Sequence, residues 1–202
     1  DLKHAHRVAG LLHKTGVALH EALQTEDASA VFEALTSFYN TPTTHSELLG
    51  VRLKAQFDHL RWLEDTQGLG PQKLLAGFRG VADRAQQSTE PPSDLIAEQA
   101  VLSLRRISEI LACEMNEPDG AEAAHHEMVE RYGDATAPSV RRRLGDGYSE
   151  RAILLLTAGD GSAAHTLMLE ASMRYPEHGD VHYNLACVCA LQGDGEGVVA
   201  HA

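Results

Sequence analysis

Residues 145–202 contain an internal repeat, and this repeat limits the folds open to the chain. Three landmark residues each recur 34 positions later; the pairs are Ala152 and Ala186, Gly159 and Gly193, and Asp160 and Asp194. Each copy has an apolar helical segment, a Gly-Asp turn and the start of a second helix. Self-similarity at about this period is typical of stacked helical hairpins. The sequence therefore predicts an all-α solenoid.

The repeated residues resemble the tetratricopeptide repeat (TPR). The family's landmarks are a small residue midway along the first helix, a Gly-Asp turn, small residues in the second helix and a closing proline; here they fall at Ala152, Ala186, Ala164, Ala171 and Pro176. The match is clearest over residues 145–202 and degenerate before them. The resemblance implies a right-handed α-solenoid of about five antiparallel helix hairpins.

Apolar periodicity and turn residues predict where these hairpins lie. The first three are expected over 1–24 with 28–39, 45–66 with 71–87, and 94–113 with 121–132. A helix over 138–157 opens the fourth, and the fifth breaks off at Ala202. Because solenoids normally end in a polar capping element, we expect the chain to be part of a longer protein.

Pro91 and Pro92 make the clearest interruption in the chain. They divide it into N-terminal hairpins with degenerate repeats, residues 1–87, and C-terminal TPR-like repeats, residues 93–202. We expect the two parts to form one continuous solenoid.

Charge and composition argue against several classes of protein. The formal net charge is −12, whereas a nucleic-acid-binding surface needs clustered positive charge. The basic run at 141–143 is interpreted as a solvated helix face. No apolar run reaches the roughly 18–20 residues of a membrane span. Three cysteines without a CxxC motif favour a reducing, cytoplasmic setting.

The twelve histidines do not form a recognisable metal or catalytic motif. His6, His13 and His20 would stand about 10 Å apart along one helix, too far to share one ion. His126 is followed by Glu130 where an HExxH motif needs histidine. The cysteines are interpreted as apolar filler of helix faces. The sequence therefore predicts no catalytic residue, metal or cofactor, and hence no enzyme.

The resemblance implies a partner-binding surface on the concave face, which the first helix of each hairpin lines. The positions that correspond are Asp146, Ser149, Glu150, Ile153, Asp180, Tyr183, Asn184 and Cys187. This set is mildly acidic and apolar, which suits a protein or peptide partner with basic and apolar anchors. It lacks the Lys and Arg residues with which chaperone-binding members hold a C-terminal carboxylate, so that role is disfavoured.

Two alternatives remain open beside a protein-interaction module. The chain could be a regulatory or scaffold arm of a larger multidomain enzyme or transcriptional regulator. It could also be a self-association domain that forms a homo-oligomer through its uncapped C-terminal repeat. A helical metalloenzyme is a more distant alternative.

Overall fold

The computed structural model describes residues 46–87 and 92–193, together with isolated helical positions at 11, 14–16, 18, 30, 31 and 34. Helices account for all regular structure over these residues, which contain no strand. The first predicted hairpin, and the part of the fifth hairpin after residue 193, lie outside the continuously described ranges.

Residues 46–87 and 92–193 form seven α-helices and one π-helical segment. Their order is α1 Ser46–Gln67, α2 Pro71–Gln86, α3 Asp94–Glu109, a π segment Ile110–Glu114, α4 Pro118–Tyr132, α5 Pro138–Thr157, α6 Gly161–Arg174 and α7 Gly179–Gln192. The predicted helices at 45–66, 71–87 and 138–157 are therefore confirmed to within one residue or two, and the one at 94–113 is confirmed when α3 and the π segment that continues it are taken together. The π segment and the early start of α4 were not predicted.

Helix starts follow the residues that suit them. Pro71 occupies the first turn of α2, where its missing N–H costs nothing. The Ser93 hydroxyl accepts a hydrogen bond from the Ile96 N–H at 3.4 Å and caps α3. Proline also explains α4, because Pro118 opens it three residues before the predicted start at Ala121.

The repeated Gly-Asp turn forms as the sequence predicts. Gly159 has φ 86° and ends α5 in the left-handed conformation. Asp160 then caps α6 by accepting the Ala163 N–H at 2.9 Å. Gly193 repeats this ending after α7 with φ 77°. The sequence Gly-Asp-Gly also occurs at residues 145–147, but there it lies inside α5 and makes no turn.

The chain divides into two compact units, residues 1–121 and residues 122–202. This division differs from the predicted boundary at Pro91 and Pro92, because α3 packs against both α1 and α2 on the other side of those prolines. In the first unit α1 also packs against α2. The core there includes Leu53, Trp62, Phe78 and Ile107, all at most 2 % exposed.

In the second unit α5 packs against α6 and α7, and α6 packs against α7. Small residues make this close packing possible: Ala152 is 2 % exposed, and Ala164 and Ala171 are completely buried. The Tyr148 and Tyr175 rings meet edge to face at 5.8 Å between centroids. The first helix of one hairpin thus contacts its own second helix and the first helix that follows, as the repeat resemblance implies.

Candidate partner-binding site

The eight residues of the sequence-based site lie on α5 and α7, which run in the same direction. His178 at the start of α7 lies against the first half of α5, with its Nε2 3.0 Å from the Arg142 carbonyl oxygen. At the other end, the Gln192 side chain donates a 2.6 Å hydrogen bond to the Gly161 carbonyl, just beyond α5. The two helices therefore present the residues in two neighbouring rows.

His178 fixes the position of α7 on α5 and is not among the residues predicted from the sequence. Its ring packs onto Gly145 so closely that a Cβ there would lie 2.3 Å from the ring's Cδ2 atom. Its Nε2 donates to Arg142 and lies 3.3 Å from a carboxylate oxygen of Asp146. The signal was present in the sequence, because a glycine inside a helical pattern often marks a close approach.

Five of the eight residues are exposed. Tyr183 and Ile153 are 68 % and 55 % exposed, which is high for large apolar side chains. Cys187, Glu150 and Asp180 are exposed as well. The interpretation of Cys187 as apolar filler is wrong, because its thiol is exposed. That interpretation fits only Cys189, which is buried. This part of the predicted site is accessible to a partner.

The other three residues are less accessible. Ser149 is buried at 7 % exposure, and its hydroxyl has no hydrogen-bond partner among the described residues. Asp146 is partly buried and holds Arg143 at 3.6 Å in addition to its contact with His178. Asn184 is half-buried. Ser149 therefore lies beneath the surface that the exposed residues form.

Leu191 extends the exposed row on α7 and was not predicted. It is 72 % exposed and follows Tyr183 and Cys187 at four-residue steps, which places all three on one side of the helix. The four-residue spacing is visible in the sequence, so Leu191 could have been placed on this side of the helix from the sequence alone.

From Glu150 to the end of α5, and along α7, every exposed Asp, Glu, Lys or Arg side chain is acidic. Arg151 is buried and donates from its Nε to Glu122 at 2.9 Å, so its charge is compensated within the fold. Residues 181–192 of α7 contain no Asp, Glu, Lys or Arg. Glu150 and Asp180 thus set the sign of the charge beside the apolar side chains.

The basic run at 141–143 is partly structural, which corrects its interpretation as a solvated face. The Arg141 guanidinium stacks 5.1 Å from the centroid of the Tyr175 ring and binds both carboxylate oxygens of Glu177, at 2.6 and 3.1 Å. It also donates to the Arg174 carbonyl at 2.7 Å. This contact ties the loop before α7 to α5.

A buried histidine lies beneath the tyrosine pair. The His125 ring meets the Tyr148 ring edge to face at 4.9 Å between centroids. Burial lowers the pKa of His125 to about 4. Tyr148 donates a 2.8 Å hydrogen bond to Glu170, and burial is the main cause that raises its pKa. These contacts hold α4, α5 and α6 together.

Within residues 46–87 and 92–193, no group of three or more potential metal ligands comes together. His6, His13 and His20 lie outside those residues. None of the described helices combines the length and apolar character that a bilayer span requires.

The packing of these helices is that of a TPR-like protein, and solved structures share it. Two crystal structures described as a Podosopora anserina putative kinesin light chain with nearly identical TPR-like repeats match with TM-scores of 0.62 and 0.61 at 13 % and 12 % identity. The matches cover 96 % and 95 % of this chain, and 90 % of each of those chains. The first of the two is a variant with a single substitution.

A double mutant of MamA RS-1 also matches, with a TM-score of 0.53 at 13 % identity, over 96 % of this chain and 89 % of that one. A scan of protein-family models finds no match, and neither does a search of curated protein sequences. The structural likenesses confirm the predicted all-α, TPR-like solenoid fold.

Proposed function

We propose that this chain is a protein-interaction module that binds a segment of a partner protein along α5 and α7. The observation that carries the proposal is the exposure of Ile153 and Tyr183, at 55 % and 68 %, on neighbouring helices. Large apolar side chains that are exposed together mark interaction surfaces. TPR-like repeat arrays present extended concave surfaces of this kind for binding.

The chemistry of the surface suggests what the partner segment contains. We propose that an apolar side chain of the partner packs against Ile153, Tyr183 and Cys187, and that Lys or Arg residues beside it approach Glu150 and Asp180. Asn184 can hydrogen-bond to the partner's backbone, and Asp146 borders the surface. Ser149 supports the surface from below because it is buried. A protein partner of this kind requires no nucleic acid, membrane or cofactor.

This function involves no catalytic step by the chain. We place it in the cytoplasm, where the exposed thiols of Cys113 and Cys187 would stay reduced.

Affinity capture followed by titration with the recovered partner tests the proposal. The test variant is Glu150→Ala/Tyr183→Ala/Asn184→Ala, and the matched control is Thr166→Ala/Leu169→Ala/Met173→Ala on the exposed side of α6. Both should show the helicity of the wild type by circular dichroism. We expect the test variant to bind at least about tenfold more weakly, because truncating central interface residues costs more than about 1.4 kcal/mol.

Equal binding by the wild type and the test variant would show that the surface is wrongly assigned. If neither the wild type nor either variant captures a partner, the result favours the alternative that the chain is a scaffold arm of a larger protein.

A further inference from the structure

A cavity of about 560 Å³ opens beside α6. Its walls come from the start of α4, the end of α5, the Gly-Asp turn and one side of α6. The lining residues are Glu122, Leu155, Asp160, Ser162, Ala163, Thr166, Leu167 and Glu170. A volume of this size is typical of small-molecule sites, which span roughly 300–1,000 Å³. None of these residues belongs to the proposed partner-binding surface.

The charged side chains that line the cavity are all carboxylates, and each is held in place by the fold. Arg151 donates from its Nε to Glu122 at 2.9 Å. Tyr148 donates to Glu170 at 2.8 Å, and Asp160 is fixed as the cap of α6. Each of these contacts uses one oxygen of the carboxylate and leaves the other for a ligand. Carboxylates fixed in advance lower the ordering cost of binding.

The arrangement of charge limits what this cavity can bind. No Lys or Arg lines it, which disfavours an anionic ligand. Within the part of the chain that the structure describes, no three potential metal ligands come together, so the three carboxylates do not surround one ion. A ligand that meets all three carries positive charge at more than one point along its length.

The apolar residues of the cavity suit the part of the ligand between those charges. Leu155, Ala163 and Leu167 lie in the same lining as the carboxylates. Methylene chains pack against apolar surface of this kind while their charged ends meet polar groups. The ligand chemistry that combines both features is a flexible hydrocarbon chain that carries several ammonium groups.

We propose that this cavity binds a linear aliphatic polyamine, with its ammonium groups at Glu122, Asp160 and Glu170 and its methylene chain against Leu155 and Leu167. The arginines that bond two of the three carboxylates are Arg151 and Arg174. One negative charge therefore remains in excess, in a chain whose net charge is −12. The proposal shares no residue with the proposed function, so either can fail without the other.

Isothermal titration calorimetry of the whole chain with spermidine at low salt tests the proposal, and we expect saturable one-to-one binding. Thr166→Lys places an ammonium group in the cavity, four residues before Glu170, where the two side chains can pair. It should weaken spermidine binding at least about tenfold. The matched control Met173→Lys adds the same charge to α6 outside the cavity, at a residue that is 76 % exposed. It should change the affinity less than about twofold.

A second pair of variants removes a charge instead of adding one. Asp160→Asn keeps the cap of α6 but removes a carboxylate from the cavity, and should weaken spermidine binding about threefold or more. Asp180→Asn removes an equal charge at an exposed residue of α7 that does not line the cavity, and should leave the affinity within about twofold of the wild type. All four variants should show the helicity of the wild type by circular dichroism.

Three results would overturn the proposal. The first is no binding of spermidine by the wild type. The second is equal weakening within either pair of variants, which would mean that the acidic chain attracts spermidine without a specific site. The third is equal affinity for spermidine and for the peptide acetyl-Gly-Lys-Gly-amide, because the cavity would then recognise a lysine side chain of a protein. Partner capture is measured separately and is not decided by these titrations.

Discussion

The contact between His178 and Gly145 decides how α7 lies on α5. In Gly145→Ala the new Cβ would lie 2.3 to 3.0 Å from three ring atoms, and the ring's hydrogen bond to Arg142 resists displacement. Alanine gains up to about 1 kcal/mol of helix propensity over glycine, but overpacking costs about 1–3 kcal/mol. We expect a net decrease in the free energy of unfolding, measured by urea titration.

Gly179→Ala is the matched control, because nothing lies within 4 Å of its added Cβ. It should unfold at the wild-type urea concentration or higher. If Gly145→Ala is as stable as this control, His178 does not fix α7 as described.

His125 makes stability depend on pH. Its pKa is about 4 in the folded chain, against 6.5 for an ordinary histidine, because it is buried beside Tyr148. Between these values the unfolded state binds more protons, so stability falls as the pH drops through 6.5 and levels off below about 4. Linkage puts the loss at up to about 3 kcal/mol. Urea unfolding of wild type and His125→Phe from pH 7 to pH 4 measures it.

His125→Phe keeps an aromatic ring against Tyr148 but cannot bind a proton. Its unfolding free energy should therefore fall less than that of the wild type over this pH range. Parallel pH profiles would mean that His125 is not buried as the neutral form.

At the scale of helices, the turn between α5 and α6 depends on a single cap. Asp160→Ala removes the acceptor of the Ala163 N–H, and should lower the free energy of unfolding by about 1 kcal/mol. Asp160→Asn keeps an equivalent acceptor, and should stay within a few tenths of a kcal/mol of the wild type. Thermal unfolding of the three proteins compares them. Equal loss in both variants would assign the effect to charge, and not to capping.

Most of the helices could be predicted from the sequence, because their starts and ends have local causes. Gly159 tolerates the left-handed conformation that ends α5, the Asp160 side chain caps α6, and Pro71 suits the first turn of α2. Contacts between helices were harder to predict. Ser149 occupies a repeat position that is expected on the concave face, but it is buried. Its exposure depends on how the helices pack, which the local sequence does not determine. The exposed set is smaller than the predicted one for that reason.

At the scale of the whole molecule, the net charge of −12 should govern how fast a partner binds. The acidic chain attracts a basic segment, and salt screens this attraction. The Debye length, which sets its range, falls from about 10 Å at 0.1 M salt to about 3 Å at 1 M. We expect the association rate constant with the recovered partner to fall about tenfold or more between these salt concentrations, as measured by stopped-flow fluorescence. A rate that does not depend on salt would argue against basic anchors.

Site-specific photo-cross-linking tests most directly whether α5 and α7 form the binding surface. A benzophenone side chain replaces Tyr183 in one protein and Met173 in another; the two positions are 68 % and 76 % exposed, on different helices. Each protein is irradiated with the recovered partner at the same concentration. We expect a covalent partner adduct from position 183 and none from position 173. Adducts of equal yield from both positions, or an adduct from position 173 alone, would contradict it.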